Sequence, residues 1–207
     1  RNRSSAASDV YKRQSLPRKI KVLLSGTATN TDYPVGKKVT TDNGTNVTTT
    51  PEDQLTTGII EGRGAPISAT GTSKVQIVSG GSGYLFDNTS AVPLKSLTGT
   101  GTGAEATITV TDEVITGVNI TNVGTGYQLG EVLTVDNDSS KVTRGGRFKV
   151  EITEIASNLD TLFLTDVQGE KFTNGHKIVT FGADYVTKTM TSVTVNGDSI
   201  VTSDLFT

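Results

Sequence analysis

Two glycine clusters are the part of this sequence that most resembles a ligand-binding loop. Residues 99–110 are GTGTGAEATITV and residues 120–130 are ITNVGTGYQLG. A glycine-rich loop holds a phosphate when it follows a strand and opens a helix. Here both clusters run into strand-like segments, and neither is followed by Lys-Ser or Lys-Thr. We therefore expect these glycines to make tight bends and not to bind a nucleotide.

Few other residues have the chemistry for catalysis. His176 is the only histidine, and it takes the place that Lys37 and Glu131 hold in similar segments. A position that accepts Lys, Glu and His is typical of a solvated face. Asp112 and Glu113 fall at a predicted hairpin tip, which is a poor position for paired carboxylate catalysis.

The one segment that begins like a metal site is Asp136-Asn-Asp138. It lacks the glycine at the sixth position and the glutamate at the twelfth that a calcium loop uses, so a polar turn is favoured. Residues 60–63, IEGR, match a tetrapeptide that is often engineered as a protease site, and we interpret them as a coincidence in a glycine-rich turn. We predict no catalytic, cofactor-binding or metal-binding residue, no cofactor and no enzymatic activity.

Composition favours thin β-modules over one thick core. The 207 residues include no cysteine, 36 threonines and 23 glycines, and only 33% are hydrophobic. Threonine suits a half-buried pleated surface and glycine suits tight turns. The net charge of −2 gives no basic surface for a nucleic acid. No run approaches the roughly 18 apolar residues of a membrane helix, so we expect neither a nucleic-acid partner nor membrane insertion.

The elements that must position these residues are predicted to be strands. Short segments alternate apolar residues with Thr, Lys or Glu, and no segment keeps a helical stripe for three turns. Asn-Gly at 43–44 and 196–197 and Thr-Asp-Glu at 111–113 are typical of hairpin turns. The predicted strands are KIKVLLSG, KVQIVSG, AEATITV, GVNITN, EVLTV, RFKVEITEI, TLFLTDV, KIVTF and TSVTV.

Internal repetition is the strongest pattern in the chain. Residues 75–84, VQIVSGGSGY, align without gaps on residues 118–127, VNITNVGTGY, and residues 103–110 align on residues 147–154. A looser motif, an aromatic residue followed by a glycine and an apolar-Thr pair, occurs in YPVGKKVT, YQLGEVLT and FTNGHKIVT. These repeats indicate about four units of roughly 45 residues, a period typical of repeat arrays. The aromatic residues that mark the units are Tyr33, Tyr84, Tyr127 and Phe172.

Tyr127 is predicted to be the core anchor of its unit, with Gly124 and Gly126 setting the bend that delivers it. Since Phe172 fills the matching position, we expect the ring to matter and the hydroxyl to be dispensable, so that Tyr127→Phe costs under about 1 kcal/mol.

Residues 1–14, RNRSSAASDVYKRQ, share no pattern with the rest of the chain. The run SSAASDVYKRQ resembles a translated sequencing adapter of the kind found at the ends of metagenomic contigs. We expect a non-native or disordered leader at 1–14, an N-terminal β-module at 15–70, central β-repeats at 71–156 and a C-terminal β-module at 157–207. The fold class is predicted to be all-β: serial small antiparallel modules, sandwich-like or partly closed barrels.

The order GTGTGAEATITV, VITGVNITNVGTGYQLGEVLTV and DTLFLTDVQGEKFTNG resembles virion structural proteins of large marine tailed phages, especially cyanophage-type myoviruses. The resemblance covers about 71–181, with a weaker echo in 21–64, and no functional residue can be carried across because the motif is structural. It implies a non-enzymatic tail, baseplate or fibre component, acting in assembly or host attachment and assembled in the host cytoplasm into an extracellular virion.

The partners that this resemblance implies are other virion proteins, further copies of the chain and a host surface glycan. Repeats containing Gly-Ser-Gly-Tyr also occur in bacterial surface proteins. A bacterial surface adhesin or carbohydrate-binding β-module is therefore the alternative, with the turn tips as its binding loops.

Overall fold

Strands are the only regular secondary structure in the part of the chain that the structure describes. The structure is a computed structural model, and it describes residues 18–42, 55–85, 89–137, 142, 144–169, 172–181 and 187–196. Within them the elements are β1 (Arg18–Ala28), β2 (Lys38–Asp42), β3 (Thr57–Gly64), β4 (Val75–Ser82), β5 (Thr89–Ser96), β6 (Thr102–Thr111), β7 (Val114–Thr125), β8 (Val132–Val135), β9 (Gly146–Ile152), β10 (Leu159–Gln168), β11 (Lys177–Thr180) and β12 (Thr187–Asn196). The predicted all-β class of small antiparallel modules is confirmed.

Six strands close into a barrel, in the order β1-β10-β3-β2-β11-β12. All neighbouring strands are antiparallel. Alternation along β1 sends Ile20, Val22 and Leu24 into the barrel core, whereas Lys19 and Lys21 lie on its outer face. The core also contains Tyr33, Val39, Ile60, Leu162, Leu164, Phe172, Ile178 and Met190.

The other six strands form a curved sheet, the half-barrel, in the order β4-β9-β8-β5-β6-β7. Its own core contains Tyr84, Ile108, Ile120, Tyr127, Leu133, Phe148 and Ile152. The half-barrel does not close by pairing β4 with β7. The linker at 65–71 instead bonds to the free edge of β7, through Ala65 with Tyr127 and Gly71 with Ile120.

The two modules share one strand order. Going round the barrel from β1 gives β1-β12-β11-β2-β3-β10, and across the half-barrel the order is β4-β9-β8-β5-β6-β7. The two orders match when β1–β3 are placed on β4–β6 and β10–β12 on β7–β9. Each module therefore consists of two intertwined three-strand units. The period of roughly 45 residues stays a prediction.

This topology corrects the expected arrangement of the modules. Strands from the proposed N-terminal module at 15–70 and from the proposed C-terminal module at 157–207 lie in one closed barrel. The reason is that β1 pairs with β10 and β12 and not with β2 or β3, so neither half forms a module of its own. The half-barrel, 75–152, is inserted between β3 and β10, close to the expected central range of 71–156.

The nine predicted strands all occur, and three further strands do not follow the expected pattern. β2 begins within the YPVGKKVT motif and extends beyond it. β3 carries three glycines, and β5 contains Pro93 although it pairs with both β6 and β8. Glycine and proline both weaken a strand prediction. The IEGR segment lies in β3 and not in a turn: Ile60 is buried and Glu61 forms an ion pair with Lys19.

A repeated turn precedes β2, β8 and β11. Gly36, Gly130 and Gly175 all have positive φ, which a glycine adopts without strain. The N–H of each donates to a carbonyl on the strand that closes the unit, Ile60, Ile152 or Met190. That residue's own N–H donates back to the carbonyl of Lys37, Glu131 or His176. The three residues that follow these glycines therefore occupy equivalent backbone positions, as the motif predicts.

The four aromatic residues that mark the repeats are buried: Tyr33, Tyr84, Tyr127 and Phe172 are 0–5% exposed. The hairpin predicted at 111–113 is also present, since Asp112 and Glu113 both have positive φ between β6 and β7. Residues 1–14, Asn43-Gly44, Asp138 and Gly197 lie outside the described residues. Among the described residues, no helix has the length and apolar character of a membrane span.

Candidate functional site: a buried lysine and two carboxylates between the modules

The barrel and the half-barrel meet through their backbones at the end of β3. Ala65 and Tyr127 exchange two hydrogen bonds, of 3.0 and 2.9 Å. Next to this pair the backbones of Gly64 and Gly126 approach so closely that a Cβ on Gly64 would lie 2.9 Å from the carbonyl carbon and oxygen of Gly126. Glycine at both positions therefore lets the two modules touch.

Lys21 is buried in this contact although it lies on the outer face of the barrel. Its side chain is covered because the half-barrel docks there, leaving the residue 6% exposed. Its Nζ donates a hydrogen bond to the carbonyl of Thr100, in the loop before β6. Desolvation lowers the pKa of the Lys21 amine, and the negative charges of Glu131 and Asp160 oppose that shift.

Asp160, at the start of β10, presents its carboxylate to the same contact. Its Oδ1 accepts hydrogen bonds from the N–H of Gly126 at 3.1 Å and from the hydroxyl of Thr161 at 2.8 Å. Its Oδ2 is buried and has no hydrogen-bond partner among the described residues. Burial raises the pKa of the Asp160 carboxyl, while the two hydrogen bonds and the charge of Lys21 act in the opposite direction.

Glu131 is the second carboxylate, and it comes from the half-barrel. Its Oε1 accepts from the N–H of Gly101 at 2.9 Å and its Oε2 from the N–H of Gln128 at 3.0 Å. The residue is 4% exposed, so the expected solvated position is wrong for Glu131. The physical reason is the loop at 99–101, whose glycine backbone folds over the carboxylate and donates to it.

The other residues considered for chemistry do not join this cluster. His176 is half-buried, and its Nδ1 is buried without a partner among the described residues. Asp112 and Glu113 are exposed at the tip of the β6–β7 hairpin. Among the described residues, no three His, Asp or Glu side chains come close enough together to hold a metal ion.

The glycines of the two clusters form bends and pack against neighbouring side chains. Gly103, Gly124 and Gly126 have positive φ, and GTGTG leads into β6, not into a helix. Gly101 packs against the ring of Tyr127, where a Cβ would clash with that ring. Bends and close packing against neighbouring side chains therefore account for these glycines.

Sequence reasoning missed Lys21 and Glu131 because each lies where a pattern predicts solvent, and it missed Asp160 because that residue precedes the predicted strand TLFLTDV. Strand alternation in KIKVLL places Lys21 on an outer face. Only the docking of a second module turns that outer face into an interior one. Thr161, also on the outer face of the barrel, is fully buried for the same reason.

Comparison of the chain with protein-family models, with curated proteins and with solved structures gives no match.

Proposed function

We propose that this chain is a non-enzymatic structural component of a phage virion, from the tail, the baseplate or a fibre, acting in assembly or host attachment. The observation that carries the proposal is the duplicated architecture: one six-strand order occurs twice, each time from two intertwined three-strand units. Serial copies of a module suit a protein that spans distance or presents equivalent surfaces. The resemblance of residues 71–181 to virion proteins of marine tailed phages supports the same role.

The buried charged cluster supports a structural role more than catalysis. Lys21 and Glu131 are 6% and 4% exposed, so a substrate has no direct access to either side chain. Their polar atoms bond to backbone groups of the loop at 99–101 and of Gln128. Of these bonds, the one from Lys21 to the carbonyl of Thr100 crosses from the barrel to the half-barrel and helps to hold the two modules together, as a rigid particle component requires.

The expected partners are other virion proteins and further copies of the chain. In the half-barrel β4 pairs with β9 alone among the described strands, and β7 approaches it closely only at Gly80. We therefore expect the rest of the unpaired edge of β4 to pair with another chain. Light scattering on the purified chain should show an oligomer. A monomer at every concentration up to that of a packed particle would contradict this expectation.

The direct test is immunoelectron microscopy of tailed-phage particles whose genome encodes this chain. Antibody raised against the purified protein should label one part of the particle, and labelling of the tail, the baseplate or a fibre would assign the part. Particles that stay unlabelled after mild opening would overturn the proposal. A glycan array run on the same protein distinguishes the alternative, because specific sugar binding without particle labelling would favour an adhesin or carbohydrate-binding module.

A further inference from the structure

The half-barrel has two equivalent ends, and the barrel of the same chain covers only one of them. Tyr127 follows Gly126, which lies against the barrel, whereas Tyr84 follows Gly83 in the aligned repeat. Gly126 is buried and Gly83 is only half-buried. Among the described residues, a Cβ on Gly83 would meet Gly145 alone, at 3.8 Å. The end around Tyr84 is therefore uncovered where its counterpart is docked.

Two arginines lie on one side of this uncovered end. Arg144 and Arg147 lie on either side of Gly146 in sequence, and Gly146 pairs with Ser82 where β4 ends. Both arginines are exposed, and neither forms an ion pair within the part of the chain that the structure describes. The uncovered end therefore carries free positive charge beside β4.

Two carboxylates lie on the other side. Asp112 and Glu113 are exposed at the tip of the β6–β7 hairpin, again without an ion pair to a described residue. The carbonyl of Glu113 accepts from the N–H of Tyr84 at 3.0 Å, and a Cβ on Gly80 would lie 2.7 Å from the carbonyl oxygen of Ile115. The end of β4 thus lies between an acidic hairpin tip and a basic loop.

An exposed apolar side chain follows the tyrosine at this end. Leu85 is 55% exposed. Its counterpart at the covered end is Gln128, whose Nε2 lies 3.2 Å from the place of a Cβ on Gly62 of the barrel. The position after the tyrosine therefore contacts the neighbouring module at one end and presents a leucine to solvent at the other. An apolar centre with a charged rim is the usual anatomy of a protein interface.

We propose that this surface binds the same surface of a second copy of the chain. We call it the Tyr84 end, and it comprises residues 82–85, 112–113 and 144–147. Opposite charges on its two sides make it self-complementary, as a two-fold contact requires. The two arginines of each copy face the acidic hairpin tip of the other, and Leu85 packs against its counterpart near the axis.

The glycines of the Tyr84 end allow the two copies to approach closely. Gly64 and Gly126 already let the two modules of one chain come into backbone contact, and Gly83 offers the same kind of surface to a partner. The contact goes beyond the proposed virion role because it needs only the chain itself. Its failure would leave the labelling of phage particles unaffected.

The test is sedimentation equilibrium of the purified full chain and of two charge-reversed variants. The wild-type chain should form a dimer that weakens as salt is added. One variant carries Arg144→Glu with Arg147→Glu, and the other carries Asp112→Lys with Glu113→Lys. Each variant alone brings like charges together across the axis, so its dissociation constant should rise by about 100-fold or more.

Mixing the two variants restores both sets of opposite charges, so an equal mixture should form a dimer again. The matched control is Lys95→Glu with Lys177→Glu, which gives the same net charge as the arginine variant from exposed positions on β5 and β11. This control should still dimerise with itself and should not pair with the Asp112→Lys, Glu113→Lys variant. Circular dichroism checks that every variant is folded.

The wild-type measurement decides the proposal even if a variant fails to fold. A wild-type chain that is monomeric at every concentration up to that of a packed particle would overturn it. Association that persists in both folded variants would overturn it as well, because the contact would then use another surface, such as the edge of β4. A mixture that stays monomeric would contradict the two-fold arrangement.

Discussion

The phenol oxygen of Tyr127 accepts a hydrogen bond from the backbone N–H of Ala104, at 3.1 Å, inside the core of the half-barrel. Tyr84 is placed in a similar way, since burial raises the pKa of its phenol and the backbone N–H of Phe148 opposes that rise. The glycines correspond as well, because the ring of Tyr127 packs on Gly101 and the ring of Tyr84 packs on Gly145. Each tyrosine therefore anchors the strand of the other three-strand unit in its module.

Loss of the Tyr127 hydroxyl should lower the free energy of unfolding by more than we expected from Phe172, which fills the matching position without a hydroxyl. Tyr127→Phe leaves the buried N–H of Ala104 unpaired, which costs about 1–3 kcal/mol. Tyr127→Ala also removes a fully buried ring and should cost about 3–5 kcal/mol or more. Denaturant unfolding of the two variants measures both values. An unchanged midpoint for Tyr127→Phe would show that the hydroxyl contributes nothing to stability.

Gly101 should tolerate no side chain, whereas Gly146 should tolerate a methyl group. Gly101→Ala drives a Cβ into the Tyr127 ring and should cost about 1–3 kcal/mol or more. Gly146→Ala is the control: it lies in β9 with open space around an added Cβ, so stability should change by less than about 0.5 kcal/mol. Thermal unfolding compares the pair. Equal effects would contradict the packing assigned to Gly101.

Equivalent positions in the repeats should respond differently to truncation. Glu131→Ala strips the N–H groups of Gly101 and Gln128 of their acceptor, and we expect a loss of about 3 kcal/mol. Lys37→Ala changes the corresponding, partly exposed position of the barrel and should cost less than about 0.5 kcal/mol. Chemical denaturation of both variants tests the difference. Similar losses would show that the hydrogen bonds of Glu131 to Gly101 and Gln128 add no stability.

Alkali should destabilise the half-barrel through Tyr127. Burial raises the pKa of its phenol from 10.0 to about 12. The folded chain therefore keeps the proton to a higher pH than the unfolded chain, and stability falls as the pH rises from 10 toward 12. Tyr127→Phe should make this fall shallower. Unfolding midpoints across that pH range measure the slope, and an identical slope in the variant would count against the prediction.

Alternation and turn residues predict most of the fold. The alternation of apolar and polar residues in KIKVLLSG and RFKVEITEI depends only on the residues of each segment. It is therefore sufficient to predict β1 and β9. β5 is not, because Pro93 removes a backbone donor and argues against a strand paired on both sides. Its place between β6 and β8 depends on partners distant in sequence.

The closed barrel and the buried cluster needed information that no local window holds. The pairing of β1 with β10 joins segments separated by the whole half-barrel, and a repeat pattern gives no sign of which unit pairs with which. Lys21 has an ordinary polar position in its strand. It becomes buried only because Gly64 and Gly126 let the two modules come into backbone contact.

The chain leaves and re-enters the barrel at one point, because Gly64 on β3 and Thr161 on β10 are direct partners in the sheet. Their Cα atoms lie about 5 Å apart, as in any antiparallel pair. Recombination could thus exchange the segment between them for another that has equally close ends, with the barrel strands unchanged. A foreign segment would have to supply new partners for the Lys21 amine and the Asp160 carboxylate, which now bond to the Thr100 carbonyl and the Gly126 N–H, so the barrel surface is adapted to this particular insert.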